Sequence, residues 1–180
     1  MVYMFLAEGF EEIEALCPLD LLRRAGVDVK TVAVGNSKTV IGAHNIPVIA
    51  DILESEYSDE HPDMVILPGG MPGTLNLDKS ETVHCAIDSA TRDNAYVAAI
   101  CAAPSILGGR GLLNGKEAIC YPGFEDKLTG AVISKNRVVV DGKTITAAGM
   151  GVALEFGLAL VSLLCGKDKA DALRKGVIAD

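Results

Sequence analysis

The feature that most constrains the fold of this chain is the regular alternation of short apolar runs with segments long enough to form helices. Residues 2–7, 27–34 and 63–67 are apolar or β-branched runs typical of buried strands, and residues 10–25 form a helical segment that ends at Gly26. Strands separated by helices of this length are joined by right-handed βαβ crossovers and therefore lie parallel. The sequence predicts an α/β protein whose mainly parallel sheet carries helices on both faces.

The same alternation continues to the end of the chain and adds two hairpins. One pairs KTVIGA with NIPVIA around a turn near His44 and Asn45, and the other, in RVVVDGKTITAA, turns at Asp141 and Gly142. The remaining predictions are a strand that ends at residue 100, helices over 79–92, 103–113 and 150–165, a short terminal helix, and strands over 116–120 and 131–134. No repeat or low-complexity segment interrupts the pattern, so residues 1–180 are predicted to form one domain.

The charge and composition of the chain exclude several classes of partner. The net charge is -8 at pH 7 and the pI is near 4.9, which disfavours both a phosphate backbone and an anionic membrane surface. The chain has no Trp, four Phe and four Tyr, too few aromatic residues for base stacking. The most apolar segment, residues 149–164, contains Glu155 and is shorter than the roughly 20 residues of a membrane span. The sequence therefore predicts neither nucleic-acid binding nor a membrane helix.

The cysteines predict a reducing compartment. The five residues include no CxxC pair and have no regular spacing, so neither a disulfide framework nor a metal site is expected. The first strand runs into an acidic segment and is not preceded by a basic leader, which favours the cytoplasm. Cys17, Cys85 and Cys165 are interpreted as small buried residues, and Cys120 as a core residue that could approach a site.

Cys101 is the residue most suited to chemistry. The apolar run YVAAI stops at this residue, and a helix opening with Pro104 in its first turn follows. A sulfur at such a strand-to-helix corner lies near free backbone N–H groups and the positive end of a helix dipole, both of which stabilise a thiolate. Cys101 is therefore a candidate nucleophile, although a free cysteine can also be only a small buried residue.

Three loops should meet beside Cys101, because functional groups in parallel sheets collect at the carboxyl ends of the strands. They are the segment from Glu8 to Glu14, the turn PGGMPG, and the Cys101 corner itself. Gly69 and Gly70 permit a tight turn whose N–H groups, together with that of Ala102, could form an oxyanion hole. The alternative is an ordinary turn at the end of a strand.

Glu14 is the candidate acid or base. It shares one face of the predicted first helix with Phe10, Cys17 and Leu21, and this face is otherwise apolar. A carboxyl group in that position is either buried and hydrogen-bonded or exposed at the start of the helix. In the second case Glu14 would be only a first-turn acid that the helix dipole stabilises, and both interpretations stay open on the residues alone.

Five motifs are spread over nearly the whole chain. They are LAEGFEEIEAL (6–16), DLLRRAG (20–26), LPGGMPG (67–73), AAICAAPSIL (98–107) and ALEFGLALV (153–161). Taken together and in this order, they resemble the ThiJ/PfpI superfamily, in the branch of the human parkinsonism-associated deglycase and its bacterial relatives. The resemblance implies a flavodoxin-like three-layer sandwich, usually a homodimer. It also implies a reactive Cys101 on a strained elbow, a protonated Glu14 hydrogen-bonded to its sulfur, and the backbone amides of Gly70 and Ala102 at the oxyanion position.

Two departures from the family pattern concern the base. Ala102 stands where protease-like members have a histidine directly after the nucleophile, and Tyr121 stands where the human deglycase has one. The three histidines of the chain, His44, His61 and His84, are interpreted as solvated surface residues. A Cys–His–Asp triad is therefore not expected, and Tyr121 is an auxiliary candidate in the site.

The resemblance implies a cysteine-dependent glyoxalase III or deglycase that acts on methylglyoxal, glyoxal or their early adducts without cofactor or metal. Cys101 would attack the aldehyde carbon, and Glu14 would move a proton between adjacent carbons. A second hypothesis is an oxidative-stress sensor with little catalysis, in which Cys101 is oxidised to a sulfinate. A cysteine hydrolase or peptidase is the third. The first helix is apolar around most of its circumference, which favours a homodimer.

Overall fold

The computed structural model describes residues 1–58 and 61–179 and confirms the α/β architecture. The strands are β1 (Val2–Leu6), β2 (Val29–Ala33), β3 (Thr39–Ile41), β4 (Pro47–Ile49), β5 (Ile52–Leu53), β6 (Met64–Leu67), β7 (Tyr96–Ile100), β8 (Glu117–Ala118), β9 (Val132–Ile133), β10 (Val138–Asp141) and β11 (Thr144–Ala147). The helices are α1 (Glu12–Ala25), α2 (Gly73–Asp78), α3 (Glu81–Arg92), α4 (Pro104–Gly109), α5 (Ala153–Cys165) and α6 (Lys167–Gly176).

The main sheet has seven strands in the order β10-β11-β7-β6-β1-β2-β5, and every neighbouring pair is parallel except β10 with β11. The predicted first hairpin forms from β3 and β4, apart from this sheet. The chain order changes direction at β1, because β2 lies on one side of it and β6 and β7 lie on the other. In sheets of this kind ligands bind at the carboxyl ends of the strands beside such a switch point.

Side chains of alternate residues in the central strands pack into two separate hydrophobic cores, one on each face of the sheet. In β1, Met4 and Leu6 pack into the core that contains side chains of α1 and α5, whereas Tyr3 and Phe5 pack into the core that contains side chains of α3 and α4. All five residues of β1 are buried, as expected for a parallel strand covered on both faces. The sheet is thus the middle layer of three.

Helix α1 is held against α5 at one close contact. A Cβ added to Gly157 of α5 would lie 2.9 Å from Cα of Pro18 and 2.7 Å from Cδ1 of Leu21, both in α1. Real Cβ atoms do not approach backbone this closely, so a side chain at residue 157 would displace α1. Because α1 begins two residues before Glu14, this contact also sets the position of that carboxyl group.

Several predictions of local structure are wrong in detail. The helix predicted over 79–92 is α3, which begins at Glu81 after the Ser80 cap, whose hydroxyl accepts from the Val83 N–H at 3.2 Å; α2, which lies just before it, was not predicted. The strands predicted over 116–120 and 131–134 are the short pair β8 and β9. Cys85 and Cys165 are exposed and Cys17 is half-buried, so none of the three is a fully buried core residue.

Among the described residues, no helix is both long enough and apolar enough to cross a membrane. The most apolar helix, α5, has 13 residues and is followed by Gly166. It contributes Phe156 and Leu160 to the core instead.

Candidate active site

The structure brings the three predicted loops together at the carboxyl ends of β1, β6 and β7. The N–H of Glu11 donates to the carbonyl of Gly69 at 2.9 Å, and the N–H of Gly69 donates to Oε2 of Glu14 at 3.0 Å. The loop after β11 joins them, because the N–H of Cys101 donates to the carbonyl of Ala147 at 2.9 Å. Four strand ends therefore surround one small volume.

Cys101 lies at this point in a strained backbone conformation. Its φ is 65°, in the left-handed region that costs a non-glycine residue about 1–3 kcal/mol. Hydrogen bonds hold the residue on both sides, since its carbonyl also accepts from the N–H of Tyr121 at 2.8 Å. The side chain is half-buried, and the backbone N–H groups of Gly70 and Ala102 donate to its sulfur. The two backbone amides predicted as oxyanion donors thus lie at the Cys101 sulfur.

Glu14 is 1% exposed and lies against the Cys101 sulfur. Its carboxyl group hydrogen-bonds to that sulfur and to the backbone N–H groups of Gly69 and Met150. Burial raises the pKa of Glu14 to about 7, and the negative charge of Glu11 acts in the same direction, while the hydrogen bonds oppose it. The structure therefore selects the buried interpretation over a simple first-turn acid.

The thiol of Cys101 is not acidified in the way that the strand-to-helix corner predicts. Burial, together with the charge and the hydrogen bond of Glu14, raises the pKa of Cys101 to about 12 in spite of the opposing amides of Ala102 and Gly70. Two negative charges are also unfavourable in one buried volume, so the pair retains a proton around neutral pH. The thiol therefore stays protonated at neutral pH, with the Glu14 carboxyl group as its hydrogen-bonded neighbour.

Gly69 and Gly70 are required by the close approach of the loops. A Cβ on Gly69 would lie 2.6 Å from Cβ of Cys101 and 2.6 Å from Oε2 of Glu14. Gly70 has a φ of 91°, and a Cβ on it would lie 2.3 Å from the backbone nitrogen of Glu11. Only glycine lets the amides reach the sulfur and the carboxyl group at the same time.

Sequence reasoning missed two donors to Glu14, the backbone amides of Gly69 and Met150. The run Gly149-Met150-Gly151 follows β11, and β11 pairs in parallel with β7, the strand that carries Cys101 at its end. A glycine-containing turn after a strand was the signal used for Gly69-Gly70, and it would also have found this one.

One group of potential metal ligands occurs among the described residues, at Glu11, Glu12 and His44, whose ligand atoms lie within 4.8 Å of one another. The three side chains are already paired with one another. The backbone N–H of His44 donates to Oε1 of Glu12 at 2.8 Å, and its ring Nδ1 lies 2.9 Å from Oε2 of Glu12 and 3.5 Å from Oε2 of Glu11. This group clamps the β3–β4 hairpin to the start of α1.

Each histidine is engaged away from Cys101. His44 pairs with Glu12, and His61 pairs with Asp93. His84 bonds through Nε2 to the carbonyl of Asp78 at 2.7 Å. The side chain hydrogen-bonded to the Cys101 thiol is therefore Glu14 and not a histidine.

The sequence also matches a family model. The match covers residues 1–163 and is to the DJ-1/PfpI family. This chain belongs to the DJ-1/PfpI family. The resemblance inferred from the five motifs is thereby confirmed.

Individual members of the DJ-1/PfpI family are similar over most of this chain. Protein DJ-1 homolog B of Arabidopsis thaliana is 41% identical over 167 residues, which are 92% of this chain and 38% of that protein. This chain thus spans well under half of that relative. The glutathione-independent glyoxalase DJR-1.2 of Caenorhabditis elegans is 29% identical over 170 residues, 93% of this chain and 90% of that protein. The structure of oxidized Toxoplasma gondii DJ-1 has a TM-score of 0.94 and 34% identity, over 98% of this chain and 97% of that one.

Proposed function

We propose that this DJ-1/PfpI chain is a cysteine-dependent glyoxalase of the deglycase type, which converts methylglyoxal or glyoxal into a 2-hydroxy acid without a cofactor. The observation that carries the proposal is the buried pair of Cys101 and Glu14, in which a thiol faces a carboxyl group whose pKa is raised to about 7. An acid of this pKa can both accept and return a proton at neutral pH. The name of the Caenorhabditis elegans relative supports the same reaction class.

The first step forms a covalent adduct. Glu14 accepts the thiol proton of Cys101 as the sulfur bonds to the aldehyde carbon C1 of R–CO–CHO. The aldehyde oxygen takes up the electron pair of the C=O bond, next to the N–H groups of Gly70 and Ala102. Glu14 then returns the proton to this oxygen, and the product is a hemithioacetal.

The second step moves a proton between two carbons. The carboxylate of Glu14 removes the proton from C1, the C–H electron pair forms a C1=C2 double bond, and the C2=O electron pair moves onto the ketone oxygen, which gives an enediolate. Glu14 then delivers its proton to C2, and the proton of the C1 hydroxyl group passes to the oxygen on C2, which leaves a hydroxyl group on C2 and a thioester at C1. Water hydrolyses the thioester, releases R–CH(OH)–COOH and restores the thiol of Cys101. The sum is addition of one water to the substrate, with no external oxidant or reductant.

The test is lactate formation from methylglyoxal with glutathione absent. Lactate is quantified enzymatically for each enantiomer, and proton NMR in D₂O reports deuterium at C2, which exchange at the Glu14 carboxyl group introduces. Cys101→Ser and Glu14→Gln are compared with Cys85→Ser, which changes an exposed cysteine of α3. Unchanged turnover in both site variants would contradict the proposal.

A second candidate function is redox sensing at the same sulfur. Cys101 is half-buried, and the N–H groups of Gly70 and Ala102 together with a protonated Glu14 are placed to donate to the oxygens of a sulfinate. The solved Toxoplasma gondii relative is described as oxidized. Intact-mass spectrometry under graded peroxide separates the two functions: gain of two oxygens at Cys101 before any other cysteine, with weak dicarbonyl turnover, favours sensing. A hydrolase has the least support, because all three histidines are engaged elsewhere.

The same proposal includes a homodimer in a reducing compartment such as the cytoplasm. Ile13 of α1 is 49% exposed, and Ile46 and Ile49 of the hairpin segment that His44 joins to α1 are 50% and 76% exposed. A second copy of the chain would bury them. Size-exclusion chromatography with light scattering distinguishes a dimer from a monomer, and Ile49→Lys should shift the mass toward the monomer.

A further inference from the structure

Three large apolar side chains are exposed around Cys101. They are Met71, Tyr121 and Met150, which are 48%, 51% and 50% exposed, and we call them the apolar rim. Single exposed apolar residues are normal on any protein surface. Three such residues, which come from three separate loops and lie at one site, instead form an apolar patch of the kind that marks a binding surface.

Each member of the apolar rim is joined by its backbone to the reacting groups. Met71 follows Gly70, whose N–H donates to the sulfur of Cys101. The N–H of Tyr121 donates to the carbonyl of Cys101 at 2.8 Å, and the N–H of Met150 donates to Glu14. The loops that hold the Cys101 sulfur and the Glu14 carboxyl group in place therefore also hold the apolar rim.

Gly149 shows how close the Tyr121 ring lies to the acid. A Cβ on Gly149 would be 3.3 Å from Cδ2 of Tyr121 and 3.8 Å from Oε1 of Glu14. The ring edge and the carboxyl group therefore flank one small volume, which the absence of a side chain at residue 149 leaves open. A substrate carbon next to Glu14 would contact the ring.

We infer that the apolar rim binds the substituent R of a 2-oxoaldehyde R–CO–CHO and selects aryl and alkyl groups over hydrogen. This inference rests on the proposed function. In the proposed reaction the sulfur bonds to C1, and Glu14 exchanges protons with C1 and C2. The substituent R is attached to C2, so it extends from the buried pair toward Gly149 and the apolar rim. Aromatic rings and methionine sulfurs pack favourably on aryl groups, and methionine adapts to substituents of different shape.

The experiment compares kcat/KM for glyoxal, methylglyoxal and phenylglyoxal, in which R is hydrogen, methyl and phenyl. We expect the ratio of phenylglyoxal to glyoxal to fall about tenfold in Tyr121→Ala and about threefold in Met71→Ala or Met150→Ala, mostly through KM. Tyr121→Phe should keep the ratio, because the ring and not the hydroxyl group makes the contact. Val140→Ala, which changes a 47% exposed apolar residue of β10, is the matched control and should leave the ratio unchanged.

A second readout does not depend on turnover. The rates at which N-phenylmaleimide and N-methylmaleimide alkylate Cys101 are measured by intact mass and peptide mapping, and their ratio should fall in Tyr121→Ala. If no 2-oxoaldehyde is converted but this ratio falls, the proposed function is wrong and the apolar rim still binds aryl groups. If both ratios stay unchanged in Tyr121→Ala, the inference is overturned even when the glyoxalase reaction is observed.

Discussion

Two sides of the first turn of α1 carry buried glutamates that the fold treats in opposite ways. Glu12 faces the β3–β4 hairpin and is 4% exposed, while Glu14 faces Cys101 and is 1% exposed. The pKa of Glu12 is lowered from its ordinary value, and the pKa of Glu14 is raised to about 7. The pKa values of two carboxyl groups only two residues apart are thus shifted in opposite directions.

The difference comes from what each carboxyl group faces. Burial raises the pKa of both, but at Glu12 it is outweighed by hydrogen bonds from the His44 ring and from the backbone N–H groups of Glu12, His44 and Ile46. At Glu14 the partner is a thiol, and the nearest charge is the negative one of Glu11. The hairpin side is therefore a structural clamp and the sulfur side the proposed acid–base pair, and the contrast shows that the partners of a carboxyl group decide the direction of its pKa shift.

The largest effect should follow from removal of the sulfur. Cys101→Ser should lower kcat/KM for methylglyoxal by on the order of 10⁴-fold, because a serine hydroxyl at this site has no base strong enough to activate it. Lactate formation measures the loss, and circular dichroism checks the fold. Retention of more than about a tenth of the activity would show that the sulfur side of α1 is not the catalytic side.

The next largest effect separates the two glutamates directly. Glu14→Gln should lower kcat/KM by about 10³-fold, since an amide can neither accept nor return the proton. Glu12→Gln, with the same change of side chain two residues away, should keep most of the activity of the folded enzyme. Equal losses in the two variants would mean that the turn acts as one structural unit and that the contrast between its sides has no catalytic meaning.

Stability should respond to pH with opposite signs at the two residues. Glu14 has a folded-state pKa of about 7 against an ordinary value of 4.5, so its contribution to stability is fully present below 4.5 and is lost as the pH rises to about 7. At pH 8 Glu14→Gln should therefore be more stable than the wild type by on the order of 3 kcal/mol, and at pH 5 by much less.

Glu12 is the control for that measurement, which is made by urea unfolding at both pH values. Its pKa is lowered, so its contribution is present above the ordinary value and is lost only as the pH falls through the lowered one. Glu12→Gln should then destabilise the protein at pH 8 as well as at pH 5. A stabilising Glu12→Gln, or a Glu14→Gln that destabilises at pH 8, would remove the distinction between clamp and acid–base pair.

The pH dependence of the reaction should follow the same carboxyl group. Glu14 must be ionised to accept a proton, so the pH profile of kcat/KM should have an acidic limb with a pKa near 7. Well below that pH, kcat/KM should decrease about tenfold for each pH unit. Glu11→Gln removes the negative charge that raises the pKa of Glu14, and it should move the limb to lower pH. A limb that stays in place in Glu11→Gln and also persists in the residual activity of Glu14→Gln would assign it to another group.

The smallest effect is expected at the outer end of the clamp. The hydrogen bond with Glu12, and then the charge of Glu11, raise the pKa of His44, so its contribution is present below its ordinary pKa of 6.5 and is lost as the pH rises through the raised value. His44→Gln should lower Tm slightly at pH 5.5 and less at pH 9. His61→Gln, which removes the His61–Asp93 pair on the far side of the fold, tests whether the effect is specific to the hairpin.

Much of the architecture could be predicted because it depends on local patterns and chain connectivity. The apolar runs that became β1, β6 and β7 are short and flanked by turn residues, and parallel crossovers place their carboxyl ends together. For the same reason the sequence placed Cys101, Gly70 and Glu14 near one point. Helix α2 was not predicted, because the glycine and proline residues at its start are typical of a turn.

Amino-acid sequence by itself determined the sheet, the corner at Cys101 and the presence of three acids in Glu11-Glu12-Ile13-Glu14. Only the tertiary structure decided which acid has a raised pKa. The hairpin supplies His44 and backbone N–H groups to Glu12, and the loops after β6 and β11 bring a thiol and two amides to Glu14. These partners lie far away along the chain, and a pKa depends on distances that residue order does not contain. For the same reason the amides at the Cys101 corner did not lower its pKa: the carboxyl group that opposes them arrives from another helix.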